Sequence, residues 1–151
     1  MDVREALVTE FYSLLTTDAP LQALFILPDE VAGTVRMQEG LAQPNTSFPY
    51  LTHRLDLVVP DSSWALLEGT WYLDIWDHSS NRDRIFDIRA RVITLLDWRF
   101  FTPAGGEISV AQVSLRYDRE GPTDAADVHR IMLEWALHLD RKGEVAAILT
   151  R

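Results

Sequence analysis

A chain of 151 residues with 47% apolar and 25% charged side chains has the balance of one globular domain, which argues against disorder, a collagen-type repeat or a coiled coil. It has no cysteine, so a disulfide scaffold, an iron–sulfur site and a cysteine nucleophile are excluded, in keeping with a reducing cytoplasm. The formal charge of −9, with thirteen arginines and one lysine (Lys142) scattered among 23 acids, argues against direct DNA binding, which needs clustered positive charge. No apolar run nears the roughly 20 residues of a membrane span, so no membrane partner is expected. The opening MDVREALVTEFYSLL mixes acids into its apolar positions, unlike a signal peptide. The excess of arginine over lysine fits coding bias or a use for fixed, forked cations, and by itself names no function.

The spacing of Val3, Leu7, Phe11, Leu14 and Leu15 predicts a helix over 2–16, with Asp2 as its cap and Thr16 to Pro20 as its end. Leu21 to Phe25 reads as one further helical turn, and 34–39 as a short strand. Residues 40–49, with Gly40, Pro44, Asn45 and Pro49, read as a loop that orders on binding. Residues 50–58 alternate: Leu51, His53, Leu55 and Leu57 share one face, and Tyr50, Thr52, Arg54, Asp56 and Val58 the other. Residues 64–77 alternate likewise, with Trp71, Leu73 and Ile75 on one side and Trp64, Tyr72, Asp74 and Trp76 on the other. Gly69 marks a bulge or a close backbone contact.

A helix is predicted over 81–96, where Ile85, Ile88, Val92 and Leu95 form a stripe and Ser80 with Asp83 gives a capping-box pattern. Strands follow at 98–101 and 107–117. The second changes apolar parity between Val110 and Val113, which a bulge near Ala111 or Gln112 would reconcile. A polar loop spans 118–127. Residues 128–140 fit a helix through Val128, Ile131, Met132, Trp135 and Leu139. They fit a strand through Ile131, Leu133, Trp135, Leu137 and Leu139, and the strand is preferred because it leaves no leucine astray. Residues 144–149 read as a short closing helix. The fold class is therefore α+β: an antiparallel sheet of four to five strands with two main helices packed on one face, residues 1–151 forming one domain.

None of the motifs that mark catalysis or phosphate binding is present: no G-x-S-x-G, P-loop, G-x-G-x-x-G or H-E-x-x-H. Asp74, Asp77 and His78 come nearest to a metal set. However, the two aspartates have opposite strand parity and His78 falls in a turn, so the trio reads as a solvated strand end feeding a helix. His53 reads as a hydrogen-bonded, half-buried side chain. No catalytic, cofactor-binding or metal-binding residue is assigned. The aromatics are more suggestive. If helices cover one face only, then Trp64, Tyr72 and Trp76 on the other face, with Phe48 in the loop, need a partner or a covering loop. These four are the candidate partner-interface residues.

The order of elements carries a resemblance. The helix DVREALVTEFYSLL precedes a polar loop ending Phe48-Pro49-Tyr50-Leu51. A hairpin follows whose second strand ends Leu73-Asp74-Ile75-Trp76-Asp77, and it runs directly into the helix Ser80-Asn81-Arg82-Asp83-Arg84-Ile85-Phe86-Asp87-Ile88. Over about residues 3–140 this resembles the tail-completion or tail-terminator family of long-tailed bacteriophages. The resemblance implies an α+β subunit without catalytic site or cofactor. Such subunits assemble with copies of themselves into a ring, commonly hexameric. The ring caps the tail-tube protein, stops tube elongation and joins the head connector, in a virion assembled in the host cytoplasm. DNA would pass through it without specific binding. Two neighbouring roles share such folds, head–tail adaptor and tail-tube subunit. A reading from another class is a small-molecule-binding α+β enzyme, which would need a deep apolar pocket with converging polar groups.

Overall fold

The computed structural model describes residues 3–58, 66–102, 108–123 and 125–141. Helix α1 (Val3–Thr16) buries Ala6, Leu7, Phe11 and Leu15, the stripe its three- and four-residue spacing dictates. Asp18 does not merely end that helix. Its Oδ2 accepts the Leu21 amide at 2.9 Å and so starts α2 (Ala19–Ala23). Strands β1 (Met37–Glu39), β2 (Tyr50–Val58) and β3 (Leu66–His78) follow, then a 3₁₀ turn (Ser79–Asn81) and α3 (Arg82–Leu96). The chain continues with β4 (Arg99–Phe101), β5 (Ile108–Gly121) and β6 (Val128–Arg141). Residues 128–140 are thus strand. Asp2 as a cap, the helix at 144–149 and Trp64 lie outside the described residues.

The sheet has six strands in the order β1-β2-β3-β6-β5-β4, which corrects the expected four to five. It is also mixed. β1 runs parallel to β2, with Met37 opposite Leu51, while every other pairing is antiparallel. Three residues carry too little alternation to reveal a strand's direction, and the 40–49 connection is long enough to bring the chain back the same way. The central pair, β3 with β6, stays in register from Leu66 opposite Asp140 to His78 opposite Val128. Leu57 and Gly69 keep unbroken register, so Gly69 makes no bulge. It serves a close approach instead, since a Cβ there would lie 2.8 Å from the Asp56 carbonyl oxygen.

One face of the sheet forms the core. Leu51, His53, Leu55, Trp71, Leu73, Ile75 and the five odd-numbered β6 residues from Ile131 to Leu139 are each at most 3% exposed. α1 and α3 cover them. Phe11 stacks on Trp71 with centroids 4.0 Å apart, and α3 adds Ile85, Ile88, Val92 and Leu96. Ser80 does not cap α3, whose start carries no side-chain cap. Asp77, fully buried, anchors it instead. Its carboxylate accepts the His78 amide at 2.8 Å and takes Arg84 at two points, 2.7 and 2.6 Å. Arg91 grips Asp18 in the same two-point way, tying α3 to the start of α2. These forks give the arginine excess a structural use that lysine cannot supply.

The bulge expected near Ala111 or Gln112 is absent: the register runs unbroken from Val110 to Leu115, and Val110 and Val113 lie on opposite faces by plain alternation. The register shifts fall between Ile108 and Val110 and between Leu115 and Tyr117, not at Ala111 or Gln112. The strand also runs on to Gly121, through residues expected as loop. The shift at Arg116 has a consequence. Leu115 faces Trp135 on the helix side, but Tyr117 faces Glu134 on the open side and Asp118 faces Leu133 on the helix side. Arg89 of α3 holds Asp118 there, through Nε at 2.7 Å.

Candidate functional site

Among the described residues no helix covers the other face of the sheet, and it is here that the even-numbered residues of β2 and β3 converge. They line a groove of about 620 Å³, with Tyr50, Thr52 and Arg54 from β2, Tyr72, Asp74 and Trp76 from β3, Arg130 from β6, and Gly40 to Ala42 as a rim. Strand alternation places every one of these side chains. Trp76 donates its indole N–H to Thr52 Oγ1 at 2.9 Å, and its ring lies 6.0 Å from Tyr50 at an interplanar angle of 18°. Arg130 sits over Trp76 at 4.7 Å while its Nε meets Asp74 Oδ2 at 3.2 Å, and Arg54 covers Tyr72 at 4.4 Å. Burial pushes the Tyr50 phenol above its ordinary value of 10.0, so it stays neutral.

Chemically, this is a surface of ring faces and guanidinium edges. Its carboxylate and its cations largely satisfy each other, which leaves shape and aromatic area as what it offers. Tyr72 and Trp76 stand on this face, as the alternation predicts. Phe48 is half-buried between Tyr50, 5.2 Å away, and His78, 4.3 Å away. The loop that carries it is tied down. Arg36 donates to the carbonyls of Ser47 and Pro49 at 3.1 and 3.2 Å and, through both terminal nitrogens, to Phe25 at 3.2 Å. Gln38 bridges to Thr46 Oγ1 and to the Gln43 amide. The loop expected to order on binding is thus braced by side chains that precede it, Arg36 and Gln38.

The would-be metal trio is pulled apart. Asp74 pairs with Arg130 on the open face, Asp77 with Arg84 on the helix face, and His78 packs on Phe48. Among the described residues no group of three ligating side chains is close enough to hold a metal. His53 lies in the core, 3% exposed, and its Nδ1 accepts from Trp71 Nε1 at 3.4 Å while Nε2 has no partner. Burial pushes its pKa below the usual 6.5, so the ring is held neutral.

No protein-family profile matches the sequence, and neither does any curated protein. The fold is similar to that of a virion chain. A chain from the virion of a native gene transfer agent particle superposes with a TM-score of 0.73 at 14% identity, over 91% of this chain and 97% of that one. A second solved chain, whose name states no activity, gives 0.60 at 13% identity, over 93% of this chain and 98% of that one. Both likenesses run nearly end to end, so they concern the whole fold rather than one motif.

Sequence reasoning missed three aromatics. Trp98, Phe100 and Tyr117 are 68%, 64% and 46% exposed, more than any aromatic of the groove. The available signal was position. Trp98 and Phe100 flank Arg99 where the end of α3 leads into the short strand β4.

Proposed function

We propose that this chain is a structural component of a phage-type virion, and that its station is the tail terminator. Copies would form a ring, hexameric as in the family it resembles. The ring would cap the tail tube, end its growth and present a surface to the head connector. The observation that carries the structural-virion reading is the end-to-end likeness to a chain of the gene transfer agent virion. The terminator station rests on the order of elements from the N-terminal helix to Ile88. The open groove, with Tyr72, Trp76 and the adjoining Phe48, is proposed as the partner surface, and Trp64 with it on sequence grounds alone. The net charge of −9 would let DNA pass through the ring without being held, because like charges repel the phosphates.

A second reading, tail-tube subunit or head–tail adaptor, has a specific support in the long β5, most of whose outer edge has no neighbouring strand among the described residues. Electron microscopy of the purified protein, with mass measured over a range of concentrations, separates the readings. A terminator stops at a closed ring, and a tube subunit runs on into filaments. A chain that never assembles and instead binds a small molecule in the groove, with turnover, would overturn both.

A further inference from the structure

A buried imidazole lies under the corner where α1 meets β1. His53, 3% exposed, pairs with Leu73 across β2 and β3, and Glu39 stands opposite it as the last residue of β1. Tyr12 of α1 sets its ring edge-on to the imidazole, centroids 5.5 Å apart, and Trp71 of β3 lies 6.0 Å away on another side. The titratable and charged groups that face His53 are Tyr12 and Arg4 from α1 and Glu39 from β1, while β3 offers it Trp71, which does not titrate.

The two ring nitrogens leave no place for a second proton. Trp71 Nε1 donates to Nδ1 at 3.4 Å, and an indole nitrogen only donates, so Nδ1 carries the lone pair and the proton of the neutral ring sits on Nε2. Nε2 itself has no partner. A proton added at Nδ1 would point at the indole N–H, donor against donor, and would place a cation with two unanswered N–H groups in an apolar core. The neighbouring polar groups are committed elsewhere. The Tyr12 hydroxyl donates to the Met37 carbonyl, and the Glu39 carboxylate is paired with Arg4, whose charge opposes the pull of Glu39 on the ring.

What lies between this ring and water is slight. β1 is an edge strand of three residues, paired with β2 alone among the described residues. Polar contacts tie α1 to it and to β2: the Tyr12 bond to Met37, the Arg4 bond to the Leu55 carbonyl at 2.6 Å, and the Arg4–Glu39 pair. The Arg4 and Glu39 side chains are 44% and 49% exposed, so water screens their attraction. A hollow of about 310 Å³, lined by Arg4, Val8, Thr9 and Glu39 among others, lies between β1 and the first turns of α1.

We propose that the α1–β1 corner is an acid-operated flap: His53 takes a proton only when β1 and the first turns of α1 move off the ring, so acid opens this corner while the β3–β6 centre of the sheet stays closed. The open corner binds a proton as an ordinary imidazole does, with a pKa of about 6.5, whereas burial holds the closed corner below that value. Each unit of pH below 6.5 therefore favours the open form about tenfold, until the pH reaches the pKa of the closed form. His78, His129 and His138 are half-buried or exposed, so acid has no comparable hold on the rest of the sheet.

The test follows the full chain by NMR, reading the titration of the His53 ring beside amide hydrogen exchange corrected for its intrinsic pH dependence. His53 titrates below 6.5. Between pH 7.5 and 5.5 protection falls at Leu7–Glu10 and at the Gly40 and Leu51 amides, which bond to the His53 and Arg36 carbonyls, and it holds at Trp71–Ile75 and Ile131–Leu137. Tyr12→Phe removes one hydrogen bond at the corner without changing any charge, and so raises the His53 pKa by roughly half a unit. Arg89→Gln, which weakens the contact of α3 with Asp118, leaves that pKa where it was. In His53→Leu the acid-linked loss at the corner disappears. Acid loss of protection spread evenly over the chain, or equal pKa shifts in Tyr12→Phe and Arg89→Gln, would overturn the flap. So would a His53 ring that titrates with the corner amides still protected.

Discussion

The same strands present two faces of opposite character. Toward the helices, β2, β3 and β6 offer Leu55, Trp71, Leu73, Ile131 and Trp135, all sealed from water. Toward the open side the alternate residues are Arg54, Tyr72, Asp74, Trp76 and Arg130, held to each other by ring contacts and one ion pair. The first arrangement stabilises by removing apolar area from water and filling space. The second is only partly covered, with the Asp74 and Arg130 side chains 16% and 22% exposed, so it removes less apolar area and its pairing is screened by water. The helix face therefore holds the fold, and the open face is left to present a surface.

The sharpest test of that contrast exchanges two tryptophans five residues apart in β3. Trp71→Ala leaves a cavity under Phe11 and should cost about 3–5 kcal/mol in urea unfolding. Trp76→Ala loses one hydrogen bond to Thr52 and the contact with Arg130, and should cost about 1–2 kcal/mol. Equal losses would mean that the open face is covered in solution. Next in size is Asp77→Ala. It strips the buried partner from Arg84, itself 28% exposed, and should cost about 2–3 kcal/mol, less than for a wholly buried pair. A loss no larger than that from removing Asp74, on the open side, would break the comparison.

The smallest effect is a pH dependence. His53 is kept neutral by burial, with its pKa below 6.5. As pH falls through 6.5 the unfolded chain takes up a proton that the folded chain refuses, so stability declines with falling pH until the folded-state pKa is passed. The urea midpoint should drop between pH 7.5 and 5.5 in the wild type and drop less in His53→Leu. Identical slopes would show that the ring reaches water. At lower pH a second decline sets in. Asp18, whose carboxyl the Arg91 hydrogen bond holds below 3.8, gives stability that is lost as pH falls beneath that value.

Much of this was legible in the sequence, for identifiable reasons. Alternation along β2 and β3 placed the faces by parity, but it did not reveal the burial of His53, expected half-buried, or of Asp77, expected solvated. The leucines at 133, 137 and 139 decided strand over helix in β6, because a helix would have exposed two of them. β1 was legible as a short strand, but its parallel direction was not, since three residues carry no sign of direction and the loop path decides it. The bulge beside Arg116 was not legible, because the apolar parity pointed to Ala111 or Gln112 instead and the turn of Asp118 toward Arg89 is a tertiary fact. Likewise Tyr72 and Trp76 were legible as an open-face pair, whereas Trp98 was not, since its outward pose comes from the Asp97 contact with a strand eighteen positions away.

The contour of the groove is set by a side chain that never enters it. Arg36 gathers two separate stretches, at Phe25 and at Ser47 with Pro49, onto one planar cation. A lysine, with a point-like head, could not reach all three carbonyls at once. Variation at that distant hub would thus reshape what the open face can admit while leaving every residue that lines it untouched.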